Sequence, residues 1–206
     1  MRQIPRAPRP TVRLAALLAA VLLPGLLAAT PAAADADAAR ATAERLVEDA
    51  HGALADDGRA EAQRIAALRA AVDEAFAFDV WERFLLGSSA DRLSAAERAE
   101  FRALLPGFLA DLYRKQFGKG LQAKPEIREV RPARRDFLVR AAIPRANGKT
   151  LPVDWRVRDF AERGHLVIDV MVGGTSFLIL KRDEFSALLK SGGPDALLEH
   201  MRANSV

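Results

Sequence analysis

The feature that most constrains this chain is a change of hydrophobic period near Lys124. Upstream, apolar residues recur every three or four positions, the spacing of a helix face. Downstream they alternate with polar residues, the spacing of a half-buried strand. Phe137, Val139 and Ala141 alternate with Leu138, Arg140 and Ala142, and Asn147-Gly148 supplies a hairpin turn. Leu151, Val153, Trp155 and Val157 then alternate with Pro152, Asp154, Arg156 and Arg158, which predicts one dry face and one wet face, with Asp154 toward water. After a turn near Arg163-Gly164, Leu166, Ile168, Val170 and Val172 continue the dry face, while Ile127 and Val130 fit an earlier strand.

The upstream half reads as helices. Ala38–Ala55 places Leu46, Val47, Ala50 and Leu54 on one stripe, and Asp56-Asp57-Gly58 breaks it. Glu61–Phe78 repeats the pattern through Ile65, Leu68, Ala71, Val72 and Phe76. Asp79 is the expected N-cap of a short helix closed by Gly87. Ser94 and Glu97 have the spacing of a capping box, which opens a helix running to about Phe117, with Pro106 inside it expected to kink it by removing a backbone bond and Gly118 and Gly120 beyond. After the strands, Phe185, Leu188 and Leu189 mark a helix ended by Gly192-Gly193. Pro194 starts a last one with Leu197, Leu198 and Met201. The order predicts an α+β domain whose helices cover one face of a curved antiparallel sheet.

Residues 1–34 have the make-up of a cleaved export signal. Arg2, Arg6, Arg9 and Arg13 precede the apolar run Leu14–Ala29, and Ala32-Ala33-Ala34 offers a small-residue cleavage site. The run is about sixteen residues and holds Pro24-Gly25, too short and too broken for a stable membrane span. The expected mature domain is residues 35–206. The leader carries four of the 31 basic residues and none of the acidic ones, which leaves 27 basic against 27 acidic. A formally neutral domain has no basic field for phosphate backbones, so nucleic acid is not an expected partner. The chain has no cysteine, which excludes thiol chemistry, disulfides and cysteine metal sites.

Catalytic constellations are sparse. His51, His165 and His200 are scattered, with no second histidine or carboxylate at metal-ligand spacing, so no metal and no cofactor is expected. Gly173-Gly174-Thr175-Ser176-Phe177 lacks the spacing of a nucleophile elbow or a phosphate cradle and reads as a turn needing positive φ. Asp169, between Ile168 and Val170, is expected to be half-buried with a raised pKa, anchoring a turn through backbone N–H groups. An enzyme on a cone-like α+β fold, using Asp169 or His165 on a hydrophobic substrate, is the rival reading. An assembly protein with a filled interior is another.

Large apolar side chains dominate the helices and the sheet face they cover: Trp81, Phe84, Phe101, Phe108, Tyr113, Phe117, Phe137 and Trp155. Their setting resembles the MlaC family of toluene-tolerance auxiliary proteins. The resemblance is carried by Val153-Asp154-Trp155-Arg156-Val157, Val167-Ile168-Asp169-Val170, Gly174-Thr175-Ser176-Phe177, Lys181-Arg182-Asp183-Glu184-Phe185 and Gly192-Gly193-Pro194-Asp195-Ala196-Leu197. Phe78-Asp79, Leu86-Gly87, Ser94 to Phe101 and Leu112-Tyr113 fall in matching order upstream. Gly173, Thr175 and His165 depart from the usual Glu, Val and Trp, a departure also expected of the hopanoid-associated branch.

The resemblance implies a non-enzymatic periplasmic carrier that holds phospholipid acyl chains in an apolar cavity between helices and sheet, leaving the headgroup at the mouth. It implies two transient partners, an inner-membrane ABC transporter with its substrate-binding ring and an outer-membrane lipoprotein complex, and a monomeric carrier. A hopanoid or other apolar molecule is the alternative ligand. The expected lipid-binding wall is Trp81, Phe84, Leu85, Phe101, Leu105, Phe108, Leu112, Tyr113, Phe137, Val139, Val153, Trp155, Val157, Ile168 and Val170.

Overall fold

The computed structural model describes residues 31–117, 124–144 and 148–206. The leader up to Thr30, the glycines 118 and 120 expected to end a helix, and Asn147 of the hairpin turn lie outside the described residues. Helices α1 (Pro31–Ala55), α2 (Glu61–Ala75), α3 (Phe78–Leu86) and α4 (Ala95–Phe117) come first, with a 3-10 turn over Gly87–Arg92 before α4. Strands β1 (Glu126–Ala133), β2 (Asp136–Pro144), β3 (Thr150–Phe160), β4 (Gly164–Val172) and β5 (Thr175–Ser176) follow, and α5 (Phe177–Ala203) closes the chain. The strands form one open antiparallel sheet in sequence order. This is the α+β meander that the change of period predicts. Among the described residues no helix is long and apolar enough to cross a membrane.

Helix α1 lies across β1 to β4. It buries Ala39, Ala43, Leu46, Val47, Ala50 and Ala53, a helical stripe rich in alanine that lets its backbone approach the sheet closely. Facing it, Val139 and Ala141 of β2, Val153, Trp155 and Val157 of β3, and Val167 and Val170 of β4 are buried in one contiguous core. Helix α2 packs between α1 and α4, and α5 against α3 and α4. There Phe185 meets the rings of Phe101 at 5.9 Å and Phe108 at 5.5 Å.

Several local expectations hold in atomic detail. Glu97 N–H donates to Ser94 Oγ at 3.3 Å and Ser94 N–H to a Glu97 carboxylate oxygen at 2.6 Å, the reciprocal pair of a capping box. Gly173 and Gly174 both have positive φ at the β4–β5 turn, and Gly193 (φ 70°, ψ −164°) divides α5 into two helical limbs. At Pro106, where a kink is expected, α4 instead runs on as one unbroken helix. Beside it, Val206 N–H donates to the Gly107 carbonyl at 3.3 Å and the Ser205 hydroxyl to that of Leu104 at 3.2 Å. A Cβ at Gly107 would come within 2.5 Å of the Val206 carbonyl oxygen, so only glycine permits this approach.

Four expectations are corrected. Helix α2 stops at Ala75. Phe76 is extended and bridges in parallel to Val167, covering the edge of β4 that the two-residue β5 leaves open. Asp79 is not the N-cap of α3. Ala77 holds that position, and Asp79 sits in the first turn, where Arg163 binds its two oxygens at 2.9 and 3.3 Å. Asp154 does not face open water but is only 5% exposed, because Arg140 closes over it with bonds of 2.7 and 3.1 Å. In β4, Val157 pairs with Val167 while Arg156 pairs with Asp169, so Ile168 is the extra residue of a β-bulge. The bulge moves the dry face from Leu166 and Ile168 to Val167, and Ile168, though buried, lies outside the contiguous core.

The outer face of the sheet is held by charge. Asp136, 1% exposed, accepts from Arg156 at 2.6 Å and from Arg158 at 2.7 and 3.1 Å. Burial raises its pKa, but the bonds from Arg158 and Arg156 outweigh that and hold the carboxyl below its ordinary 3.8. A depressed folded pKa means stability that is present above 3.8 and lost as pH falls below it. Asp136→Ala is expected to destabilise the fold by about 2–4 kcal/mol. The gap between wild type and Asp136→Asn should narrow as pH falls through that range. Urea unfolding across pH checks both.

Candidate functional site

The residues that line an apolar cleft between α4 and β4 come from three elements. On α4, Leu109, Leu112, Tyr113 and Gln116 occupy one face at i, i+3, i+4 and i+7 spacing. Val170 and Val172 face them from the end of β4, and Phe177, the first residue of α5, closes the side. Only carbon is exposed on the cleft wall. The cleft is narrow: its free volume of about 20 Å³ is close to that of one water. An apolar seam thus runs between α4 and β4.

At the floor of the seam, Trp155 Nε1 donates to the Tyr113 hydroxyl at 2.7 Å, joining α4 to the middle strand. Burial raises the Tyr113 pKa, since the phenolate would be left in a dry setting. The Phe76 ring packs edge-on against Tyr113 at 6.3 Å and Trp81 at 5.6 Å.

Asp169 holds the rim. Its Oδ1 accepts from Val170 N–H at 2.8 Å and Leu178 N–H at 3.2 Å, and its Oδ2 accepts from the Ser176 hydroxyl at 2.7 Å. Ser176 Oγ in turn caps α5 by accepting from Ile179 N–H at 3.2 Å. Asp169 is therefore the turn anchor that fixes where Phe177 enters the seam. Burial raises its pKa above the ordinary 3.8, against the opposing pull of Ser176, the two amides and Arg156.

The expected wall residues separate into two groups. Leu112, Tyr113 and Val170 line the seam. Trp81, Leu85, Phe101, Leu105, Phe108, Val139, Val153, Trp155 and Val157 are buried in the core, with Phe84 and Phe137 packed partly buried against it. Ile168 stands apart at the bulge. Leu109, Gln116, Val172 and Phe177 line the seam without having been singled out. The signal was present for Leu109, which shares the Leu112–Tyr113 stripe. Gln116 was masked by its polarity, and Phe177 by its place in a turn motif.

Roomier recesses are rimmed by charge. One of about 460 Å³ lies among Leu54, Ile65, Leu68, Glu61, Arg64, Arg114 and Lys115. Arg114 and Lys115 are both paired with the buried Asp111, and Arg64 with Asp57. Another, of about 380 Å³, lies between α1, α2 and the start of β4 beside His165. There Thr42 donates to the His165 carbonyl at 3.1 Å, and His165 Nε2 is buried without a hydrogen-bond partner. Among the described residues no three His, Asp or Glu side chains are grouped to hold a metal ion.

With this geometry in hand, the comparisons can be placed. A family model described as MlaC protein matches residues 40–203. No curated protein sequence matches the chain. Among solved structures, the chain is similar to a phospholipid-binding protein from Ralstonia solanacearum, determined in complex with a phospholipid. The TM-score is 0.66 and the identity 18%, over 81% of this chain and 96% of that one, a likeness of fold.

Two expected outcomes follow from the seam. Tyr113→Phe leaves Trp155 Nε1 buried and unpaired and should cost about 1–3 kcal/mol in thermal or chemical unfolding. Because the raised Asp169 pKa disfavours the ionised form in the fold, wild type should gain stability relative to Asp169→Asn as pH falls from neutral toward 3.8. A difference that is flat with pH, or of opposite sign, contradicts the assignment.

Proposed function

This chain belongs to the MlaC family, and from that premise we propose that it is a phospholipid carrier of the periplasm, a binding and transport protein rather than an enzyme. In this reading residues 1–34 are removed on export and residues 35–206 form the single lipid-binding domain. The observation that carries the proposal is the all-carbon seam between α4, β4 and Phe177, in a fold similar to that of a protein solved with phospholipid bound.

The physical need is large. Exposing an acyl chain to water costs ~0.8 kcal/mol per CH₂, so a chain of about sixteen carbons costs roughly 12 kcal/mol. A carrier removes that barrier by offering carbon on every side. Loading requires the seam to part, with α4 drawn away from Val170 and Val172. The tails then lie against Leu109, Leu112 and Tyr113 on one side and the valines on the other. The remaining expected wall residues act as the packed frame that keeps the two sides in register. The headgroup stays at the mouth beside Gln116, the polar member of the lining. Its transient partners are the inner-membrane ABC transport complex and the outer-membrane lipoprotein complex, each met by a monomer.

Native mass spectrometry of the protein purified from its own periplasm is expected to show bound phospholipid. Val172→Trp and Leu112→Trp fill the seam at partly buried positions. Both variants should remain folded by circular dichroism yet lose bound lipid at least about tenfold, as expected when a single well-placed side chain occupies a site. Repeated recovery of empty wild-type protein would overturn the reading.

A further inference from the structure

Among the described residues, Ile179 and Leu180 are the exposed large hydrophobic side chains, at 55% and 51%. They are adjacent rather than scattered, and a joined pair of this kind marks a contact where a single exposed leucine does not. Their place is specific. Both lie in the first turn of α5, and Leu180 is three residues beyond Phe177, so it shares a helix face with the residue that closes the seam. The turn is held in position by Ser176 Oγ, which accepts from Ile179 N–H, and by Asp169 behind it.

We propose that this turn is where the chain touches a lipid bilayer, the two aliphatic side chains entering the boundary between headgroups and acyl chains with the seam mouth beside them. The inference deepens the carrier reading and rests on it. Area argues for a bilayer over a protein. A specific protein interface takes ~800 Å² from each partner with matched shape, far more than two half-exposed side chains provide. A bilayer asks for no shape match and accepts a small apolar wedge reversibly.

The neighbouring charges say what kind of contact it is. Lys181 is bound to Glu184 at 2.6 Å, and the Arg182 guanidinium lies over the Phe84 ring at 4.9 Å, with Asp183 next to it in the chain. Among the described residues these cations are engaged in this way rather than clustered around the wedge, so the contact is hydrophobic and needs no anionic lipid.

The test uses the full mature chain with vesicles of zwitterionic phosphatidylcholine, with and without added phosphatidylglycerol, at low and high salt. Wild type is expected to co-float weakly, with little dependence on salt or on the anionic lipid. The double variant Ile179→Ser/Leu180→Ser should lose at least about tenfold in partitioning and in the rate of lipid exchange with vesicles. Its circular dichroism and its lipid occupancy by native mass spectrometry should be unchanged. Equal partitioning of the variant, or a wild-type contact abolished by salt, overturns the proposal. So does a variant that still meets vesicles normally but no longer binds a partner protein, which assigns the turn to a protein surface. Loss of the vesicle contact with both proteins empty of lipid would instead refute the carrier reading and leave the contact standing.

Discussion

An open antiparallel sheet with one dry face must be covered, and the covering of that face is the constraint on which the rest of the structure depends. Val139, Val153, Trp155, Val157, Val167 and Val170 form a surface that one helix cannot hide. α1 crosses it with an alanine stripe, close but thin. The bulky rings therefore come from the second layer: Phe76 from the α2–α3 link and Tyr113 from α4, the latter tied to the sheet through the Trp155 indole. That buried bond ties α4 to the middle strand beside the seam.

The opposite face solves the reverse problem. There Asp136 and Asp154 are almost wholly shielded, each beneath arginine from a neighbouring strand. The aliphatic stems of Arg140, Arg156 and Arg158 cover carbon while their heads stay in contact with solvent. This explains why reading Asp154 as a water-facing residue failed. Alternation predicts which face a side chain takes, but burial on that face depends on what the cross-strand neighbour does, and the neighbour is set by register rather than by local sequence.

The same distinction separates what was legible in the chain from what was not. The change of period, the Ser94–Glu97 box, the Gly173-Gly174 turn and the break at Gly193 are local signals, and each is built as read. Asp79 misled because the aspartate that suits an N-cap also suits the first turn, and the Arg163 that claims it lies 84 residues away. The bulge at Ile168 left no mark in the pattern, since Leu166, Val167 and Ile168 are all apolar and either alternate set could form the dry face. For the site, the stripe on α4 was visible. That Phe177 closes it was not, because its position is imposed by Asp169 across the β4–β5 turn.

A closed seam and a lipid carrier are reconciled by how α4 is divided. Phe101 and Leu105 before Pro106, and Phe108 two residues after it, are buried in the core, with the two rings packed on Phe185 of α5. Beyond them Leu109, Leu112, Tyr113 and Gln116 line the seam, and Tyr113 is bonded to Trp155 of the sheet. Pro106 stands near the junction and removes the amide that would bond the Arg102 carbonyl, which lowers the cost of bending there. Ser205 and Val206 pack on Leu104 and Gly107, one on each side of the proline. The ring-packed part of α4 and its seam-lining face thus meet within one turn of this proline.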